Sequence, residues 1–419
     1  MRGNPKYPVD NSFNKRTSKA LNQFWAGFII YTTCYTLMIS GNAISKITTY
    51  LQLLGLIIFI IPAIRLIRFR IENKYLKIIY IIYCGWLFLI VTRGFVFQKD
   101  FLLDMFFDGA RGLFLYLVPL ILLFPKNLIY LKKVINVILI LSAFYILCDI
   151  VFIKSLLSDS ENGRTLEYFS KFLGFPCGFI LLTGVYHTGK RRLWALFVII
   201  LTFILAIIRA RRGLMFMSAN ILLFSYIIYI YATRGHFIKR YFPLIIIVFL
   251  FLIGANVFDE NKAGALSLIT ERFNEDTRTE VEEYFYLDMN KKDWIIGRGI
   301  EGIYYCPTGV TGDGYREVIE TDYLQIILKG GLISLGLLLL IVIPAIFKGL
   351  FYSKNILSKA AAIWILLWLL ALYPQTVTTF SLNYLLVWIS IGICYSKRIR
   401  NIPEDSVKNI FNIKYARRK

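Results

Sequence analysis

Long apolar stretches recur along this chain, near residues 22–40, 48–64, 76–92, 111–124, 134–153, 171–187, 193–208, 213–232, 241–258, 321–347, 360–376 and 381–396. Roughly 17–25 mostly apolar residues carry an α-helix across a bilayer, so about twelve spans are expected. Backbone in lipid must satisfy its own N–H and C=O groups, and a helix does this within a single segment. The predicted fold class is therefore an all-α polytopic membrane protein. Composition agrees: 57% of the 419 residues are hydrophobic and 16% aromatic, and the mean hydropathy is +0.62, above what a soluble domain carries.

On this reading the chain divides into a basic tail at 1–21, nine spans within 22–258, one large loop at 259–320, three spans within 321–396 and a second basic tail at 397–419. The first 20 residues are polar and basic, and no small-residue cleavage pattern follows them, so an uncleaved tail is expected in place of a signal peptide. The two tails and the loops at 65–77, 125–133, 188–192, 233–240 and 348–359 hold 30 of the 48 basic residues and 4 of the 26 acidic ones. Everything else holds 18 basic residues against 22 acidic. Cytoplasmic segments are enriched in Lys and Arg, so both termini are expected in the cytoplasm and the loop at 259–320 outside. The net charge of +22 would point to nucleic acid in a soluble chain. Here it reads as topology, with no nucleic-acid partner and with the C-terminal KRIRNIPEDSVKNIFNIKYARRK drawn to anionic membrane lipid. The six cysteines show no CxxC spacing and all but Cys306 fall in apolar segments, which argues against a disulfide framework or a zinc site. No GxxxxGK[ST] phosphate loop occurs.

One cluster runs against the charge pattern. In AIIRARRGLMF, residues 206–216, Arg209, Arg211 and Arg212 fall between two apolar stretches in a loop expected on the exterior side. Guanidinium groups at a bilayer boundary cost several kcal/mol unless they snorkel or find anions. The bland reading is snorkelling to lipid phosphates; the specific one is an anion site, with phosphate favoured because a planar guanidinium binds it in bidentate fashion.

Four further features stand out. From Asp276 to Met289 the pattern is helical and amphipathic, suited to a membrane-proximal surface, and Arg278 opens it. It could join an anion site at a helix N-terminus or pair with Glu282 at i,i+4. Gly297-Arg298-Gly299 reads as a turn. Glu317, Glu320 and Asp322 sit at or just above the start of the tenth span, where carboxylates favour the helix dipole or could serve as a general base, and Lys329, about two turns further in, is expected to face a cavity. Asp100, Asp104 and Asp108 share one helix face, read as solvated acid with a cation site as the alternative. The histidines, His187 and His236, both fall in or beside loops assigned to the cytoplasm.

An arginine-glycine pair at an exterior helix junction (Arg212-Gly213), a late exterior loop with a further arginine before an amphipathic helix (Arg278), a Gly-x-Gly turn (Gly297, Gly299), and an acidic position leading into a run from Tyr323-Leu324 to Gly330-Gly331-Leu332 together resemble the bacterial O-antigen and capsular polysaccharide polymerases and the related O-antigen ligases. The resemblance covers roughly residues 190–350 in motifs and the whole chain in topology, and no single motif is long. It implies a GT-C-like membrane glycosyltransferase of the bacterial cytoplasmic membrane, working at its outer face on undecaprenyl-pyrophosphate-linked sugars without metal, cofactor or nucleotide sugar. A chain-length regulator is an implied partner. In that family setting Arg212 and Arg278 hold the departing pyrophosphate, assisted by Arg209 or Arg211, and Glu320, with Asp322 second, is the candidate base. Related ligases carry a histidine near that position, so the carboxylates favour a polymerase. Alternatives from other classes are a flippase or transporter for the same lipid-linked sugars and a scaffold of an assembly complex. Transporters tend to show two related halves and mid-membrane charges, whereas this chain has a single unpaired late loop.

Overall fold

A computed structural model describes residues 15–39, 45–157, 163–233, 278–308 and 314–411. The expected span at 241–258 and the first part of the large loop, with His236, lie outside the described residues. In chain order the helices begin with α1 (Lys15–Ile39), α2 (Ser45–Leu66), α3 (Lys74–Arg93) and the short α4 (Lys99–Phe107). Next come α5 (Leu113–Leu117), α6 (Leu128–Val151), α7 (Ile153–Leu157), α8 (Gly163–Phe169), α9 (Cys177–Leu182), α10 (Gly189–Ile208) and α11 (Arg212–Ala232). From residue 278 onward follow α12 (Thr279–Asp288), α13 (Lys291–Ile296), a two-stranded antiparallel hairpin pairing Tyr304 with Arg316 and Tyr305 with Tyr315, then α14 (Asp322–Phe351), α15 (Ile356–Ala371), α16 (Leu382–Tyr395), α17 (Lys397–Arg400) and α18 (Glu404–Phe411).

The described chain is thus an α-helical membrane protein. Six helices are long and apolar enough to cross a bilayer, Lys46–Leu66, Lys74–Arg93, Leu128–Val151, Gly189–Ile208, Arg212–Ala232 and Asp322–Phe351, and Leu113–Leu123, Ile356–Ala371 and Leu382–Tyr395 are shorter apolar helices. Two expected spans are not continuous helices. The stretch at 111–124 is α5 followed by a 3₁₀ segment, Val118–Leu123, with Pro119 removing a helical N–H. The stretch at 171–187 is a π turn at Ser170–Gly174, then α9, then a 3₁₀ turn at Gly184–Tyr186, with Gly174, Pro176 and Gly184 as the interruptions.

Every residue of α16 is buried. A helix apolar on all sides belongs inside a bundle, and α16 is its centre, with Trp388 stacked on Tyr83 and Tyr384 on Trp368. A second aromatic knot joins α1 to α2, α5 and the segment before α16 through Tyr31, Phe59, Phe114 and Phe380. At the far end from the site described below, Glu404 accepts bonds from the Tyr186 hydroxyl at 3.0 Å and the Ile356 N–H at 2.8 Å, tying α18 to the bundle.

The longest helix is interrupted. Inside α14, Gly331 has φ 68° and ψ −178°, a conformation essentially restricted to glycine. A break inside a helix frees carbonyls that need donors. Arg298 N–H donates to Leu328 O at 2.7 Å, Gly299 N–H to Lys329 O at 2.9 Å and Trp86 Nε1 to Gly330 O at 2.8 Å. The Gly-x-Gly turn expected from the sequence is therefore the plug of this break. Gly297 has φ +69°, and a Cβ there would come 2.5 Å from Gly330 N. Arg298 braces the turn, donating to Asp293 Oδ2 at 2.9 Å and to Asp288 O at 2.6 Å. Residues Leu332 to Phe351 still supply about 30 Å of helix at 1.5 Å per residue.

Candidate functional site

The end of the bundle that carries the start of α14 encloses a cavity of about 980 Å³. Its walls come from the loop before α5, from α8 and the π turn, from the α10–α11 junction, from Arg278, from the hairpin and the start of α14, and from the loop between α15 and α16.

The α10–α11 junction supplies the arginines. Helix α10 ends in a tight reversal in which Arg211 N–H bonds to Ala206 O at 2.8 Å and Ala210 N–H to Ile207 O at 3.0 Å. This is the hydrogen-bond pattern of a Schellman cap, whose left-handed residue is usually glycine. Here it is Ala210, at φ 47°. The turn sends Arg211 and Arg212 to the cavity wall and leaves Arg209 outside it. Of the three clustered arginines, then, the structure brings two to the site. Gly213 follows because there is no room for a side chain: a Cβ would lie 2.8 Å from Gln375 Cβ and 2.9 Å from Pro374 O. Substituting Ala210 by glycine is expected to relieve about 1 kcal/mol of left-handed strain and to raise the midpoint of thermal unfolding in detergent by about 2 °C. A fall in the midpoint would mean that the methyl group packs better than the turn strains.

Arg278 reaches the same cavity from the N-terminus of α12. Its guanidinium donates to Pro374 O at 2.8 Å and lies 3.3 Å from Glu320 Oε2. The alternative pairing with Glu282 is not made: Glu282 accepts from the Thr321 hydroxyl instead. Helix α12 buries one residue and leaves Tyr286 and Leu287 exposed. Phe285 is fully buried with Tyr304, Ile319 and Leu328 in a small core of its own.

The two candidate bases differ in environment. Glu320 is 74% exposed and touches Arg278. Asp322 is completely buried. Its Oδ2 accepts from Val377 N–H at 2.8 Å, Thr378 N–H at 2.7 Å and the Thr378 hydroxyl at 2.6 Å, so it anchors the loop between α15 and α16 that carries Pro374 and Gln375. Oδ2 is thus occupied by three donors, while the buried Oδ1 has no hydrogen-bond partner among the described residues. Both line the cavity, and Glu320 is the more exposed of the two.

Several wall residues were not singled out by the sequence. Glu167 of α8 sits 2.6 Å from the buried Lys171 ammonium and 3.8 Å from Arg211. Burial alone would raise the Glu167 carboxyl, but Lys171, Arg211 and Arg278 together hold it below its ordinary value. Arg111 bridges Asp108 at 3.0 Å and Glu317 at 2.7 Å. Asp108 is accordingly no solvated helix face: it turns inward, accepting from the Tyr35 hydroxyl at 2.8 Å and the Ala110 N–H at 2.7 Å. No pattern of spacing could have joined Glu167, Arg111 and Glu317, which come from three distant segments. Lys329 does line the cavity, as its position within an apolar helix implied. His187 lies at the other end of the bundle against Phe411.

Most of the cationic groups in the cavity are already spoken for. Lys171 has Glu167, Arg278 has Glu320, Arg111 has Glu317, and Arg316 donates to Thr308 O. Arg212 has no hydrogen-bond or ion-pair partner among the described residues. An unneutralised guanidinium in a partly enclosed wall is a seat for an anion. Among the described residues no group of three or more His, Cys, Asp or Glu is placed to hold a metal ion.

Fold and site together define an α-helical membrane protein with a large, arginine-lined cavity at one end of its bundle. No family model, curated protein or solved structure matches the chain.

Proposed function

We propose that this chain is a membrane glycosyltransferase that polymerises an O-antigen or capsular polysaccharide, transferring the growing glycan from undecaprenyl pyrophosphate to the terminal sugar of a lipid-linked repeat unit. The observation that carries the reading is Arg212, unpaired among the described residues, in a cavity that Arg211, Arg278 and the accessible carboxylate of Glu320 also line. Anion seat and base in one cavity is what displacement of a pyrophosphate requires. An acceptor hydroxyl attacks the anomeric carbon of the donor, the bond from that carbon to the pyrophosphate oxygen breaks with its electron pair passing to the oxygen, and the hydroxyl proton passes to Glu320. Arg212 and Arg278 neutralise the charge that develops on the leaving group, which is usually among the largest catalytic contributions. Holding both substrates in one cavity supplies orientation.

In this reading the chain has about twelve spans and a GT-C-like architecture, sits in the bacterial cytoplasmic membrane with both termini in the cytoplasm, and opens its cavity to the exterior. Deleting it from its native cell and resolving the surface glycan by size tests the reading. Loss of the long ladder with single repeat units still displayed is the expected result. Full-length glycan stranded on its lipid carrier would identify a ligase of the same superfamily instead. Absence of repeat units at the outer face would identify a flippase and remove the catalytic role of the arginines.

A further inference from the structure

The cavity has a second wall whose chemistry differs from the arginine end. Lys329 is 9% exposed, and its ammonium has one acceptor among the described residues, Gly302 O at 2.9 Å. An ammonium carries three donors, so two N–H bonds of a nearly buried charge are left without protein acceptors. Glu317 lines the same wall. Its carboxylate has one partner among the described residues, Arg111 through Oε2, which leaves Oε1 open. The Glu317 backbone is fixed by Gln325, whose amide donates to Glu317 O at 3.1 Å and accepts from Ile319 N–H at 2.9 Å.

Charge separates the two walls. The charged neighbours that Lys329 feels are Glu317, Glu301 and Arg111, whereas Glu167 feels Lys171, Arg211 and Arg278. Around Lys329 two carboxylates offset the charges of Lys329 and Arg111, so this wall carries no net positive charge to draw a phosphate. What the wall offers is a fixed N–H donor pair and a fixed carboxylate acceptor. A neutral group that both donates and accepts satisfies both at once, and adjacent hydroxyls of a sugar ring are such a group.

We propose that Lys329 and Glu317, steadied by Arg111, form a sugar-recognition subsite that binds a vicinal diol of the lipid-linked repeat unit, separate from the anion seat at Arg212. Lys329 donates to one ring oxygen and the open oxygen of Glu317 accepts from the neighbouring hydroxyl. Both are specificity residues that position the sugar against Glu320 and take no part in bond breaking. The inference rests on the reading of the cavity as a glycosyl-transfer site.

The test uses the full chain in nanodiscs with three probes: inorganic pyrophosphate, the lipid-linked repeat unit isolated from cells lacking this chain, and the same lipid after periodate has opened its vicinal diols. The wild-type chain is expected to bind the intact lipid at least about tenfold more tightly than the oxidised one, the scale of losing hydrogen bonds to charged groups. Glu317→Gln and Lys329→Gln are expected to erase that difference while leaving pyrophosphate affinity within about twofold, so that the pyrophosphate measurement also reports that each variant is folded. Glu317 is about half exposed, which keeps the test open if Lys329→Gln does not fold. Equal binding of intact and oxidised lipid by the wild type, or undiminished discrimination by Glu317→Gln, overturns the inference. The parent reading fails separately, if pyrophosphate does not bind or if Arg212→Ala binds it as well as the wild type does.

Discussion

Replacing Arg212 with alanine is expected to abolish the long glycan ladder while the protein accumulates normally in the membrane. Arg212 is the first residue of α11, a position at which alanine is an excellent helix former. Its side chain holds no other part of the described protein in place, so the substitution should change stability by no more than about 0.5 kcal/mol. The whole loss then falls on the ligand. Removing one donor aimed at developing charge costs about 10²–10³ in rate, enough to shorten chains to single repeats. Arg212→Lys keeps the charge but not the planar fork and should retain an intermediate activity. The contrast with Arg278 is useful. Truncating Arg278 would also strip Pro374 O and Glu320 of their partner, mixing structural with catalytic loss. A normal ladder from Arg212→Ala at wild-type protein levels would leave the proposed pyrophosphate site without its main support.

Gly331→Ala is expected to be the most damaging small substitution in the described chain. A Cβ at Gly331 would come 2.1 Å from Ile295 O and 2.5 Å from Ile296 N, and the backbone there occupies a region that L-residues avoid at a cost of about 1–3 kcal/mol. Relieving the clash by straightening α14 would withdraw the Leu328 and Lys329 carbonyls from the donors on Arg298 and Gly299. That route costs hydrogen bonds as well as strain. A drop of about 5 °C or more in the unfolding midpoint in detergent follows, with loss of glycan polymerisation because Lys329, which lines the cavity, lies just before the break. Gly336, a little over a turn further along, is the control: a Cβ there meets nothing within 4 Å, and Gly336→Ala should be neutral or slightly stabilising. Equal thermal midpoints for the two variants would show that the break in α14 is not under the constraint described.

The long helices were legible because lipid leaves few choices. An uninterrupted apolar run of about 20 residues must be a helix, and α2, α3, α6, α10, α11 and α14 lie where such runs occur. The failures share a cause. At 111–124 and 171–187 the hydropathy is continuous but proline and glycine break the hydrogen-bond ladder, and non-helical backbone of this kind is tolerated at membrane depth only where surrounding protein covers it. Hydropathy does not reveal that cover. The site was partly legible for a related reason. Arg211, Arg212 and Lys329 stand out because charge at those positions opposes the local pattern. Glu167, Lys171 and Arg111 carry no such signal, since each sits at or just before the edge of an apolar stretch, where a polar residue is unremarkable.

From the amino-acid order alone came the helical membrane class and the positions of most helices, along with the arginine-rich junction before Gly213, because each follows from local chemistry: apolar length, the cost of a guanidinium at an apolar boundary, the need for glycine at turns. Which arginine is unpaired, which carboxylate is an anchor and which is open, and why Gly297 and Gly331 belong to one device were decided by tertiary structure. Those properties depend on who stands opposite. Arg278 meets Glu320 and Pro374 O, whereas Arg212 meets no partner among the described residues, and Asp322 is buried against the N–H groups of Val377 and Thr378, some 55 residues further along the chain, whereas Glu320 is exposed. Ion pairs and hydrogen bonds act over a few ångströms, and segments that distant in sequence come within that range only when the bundle closes.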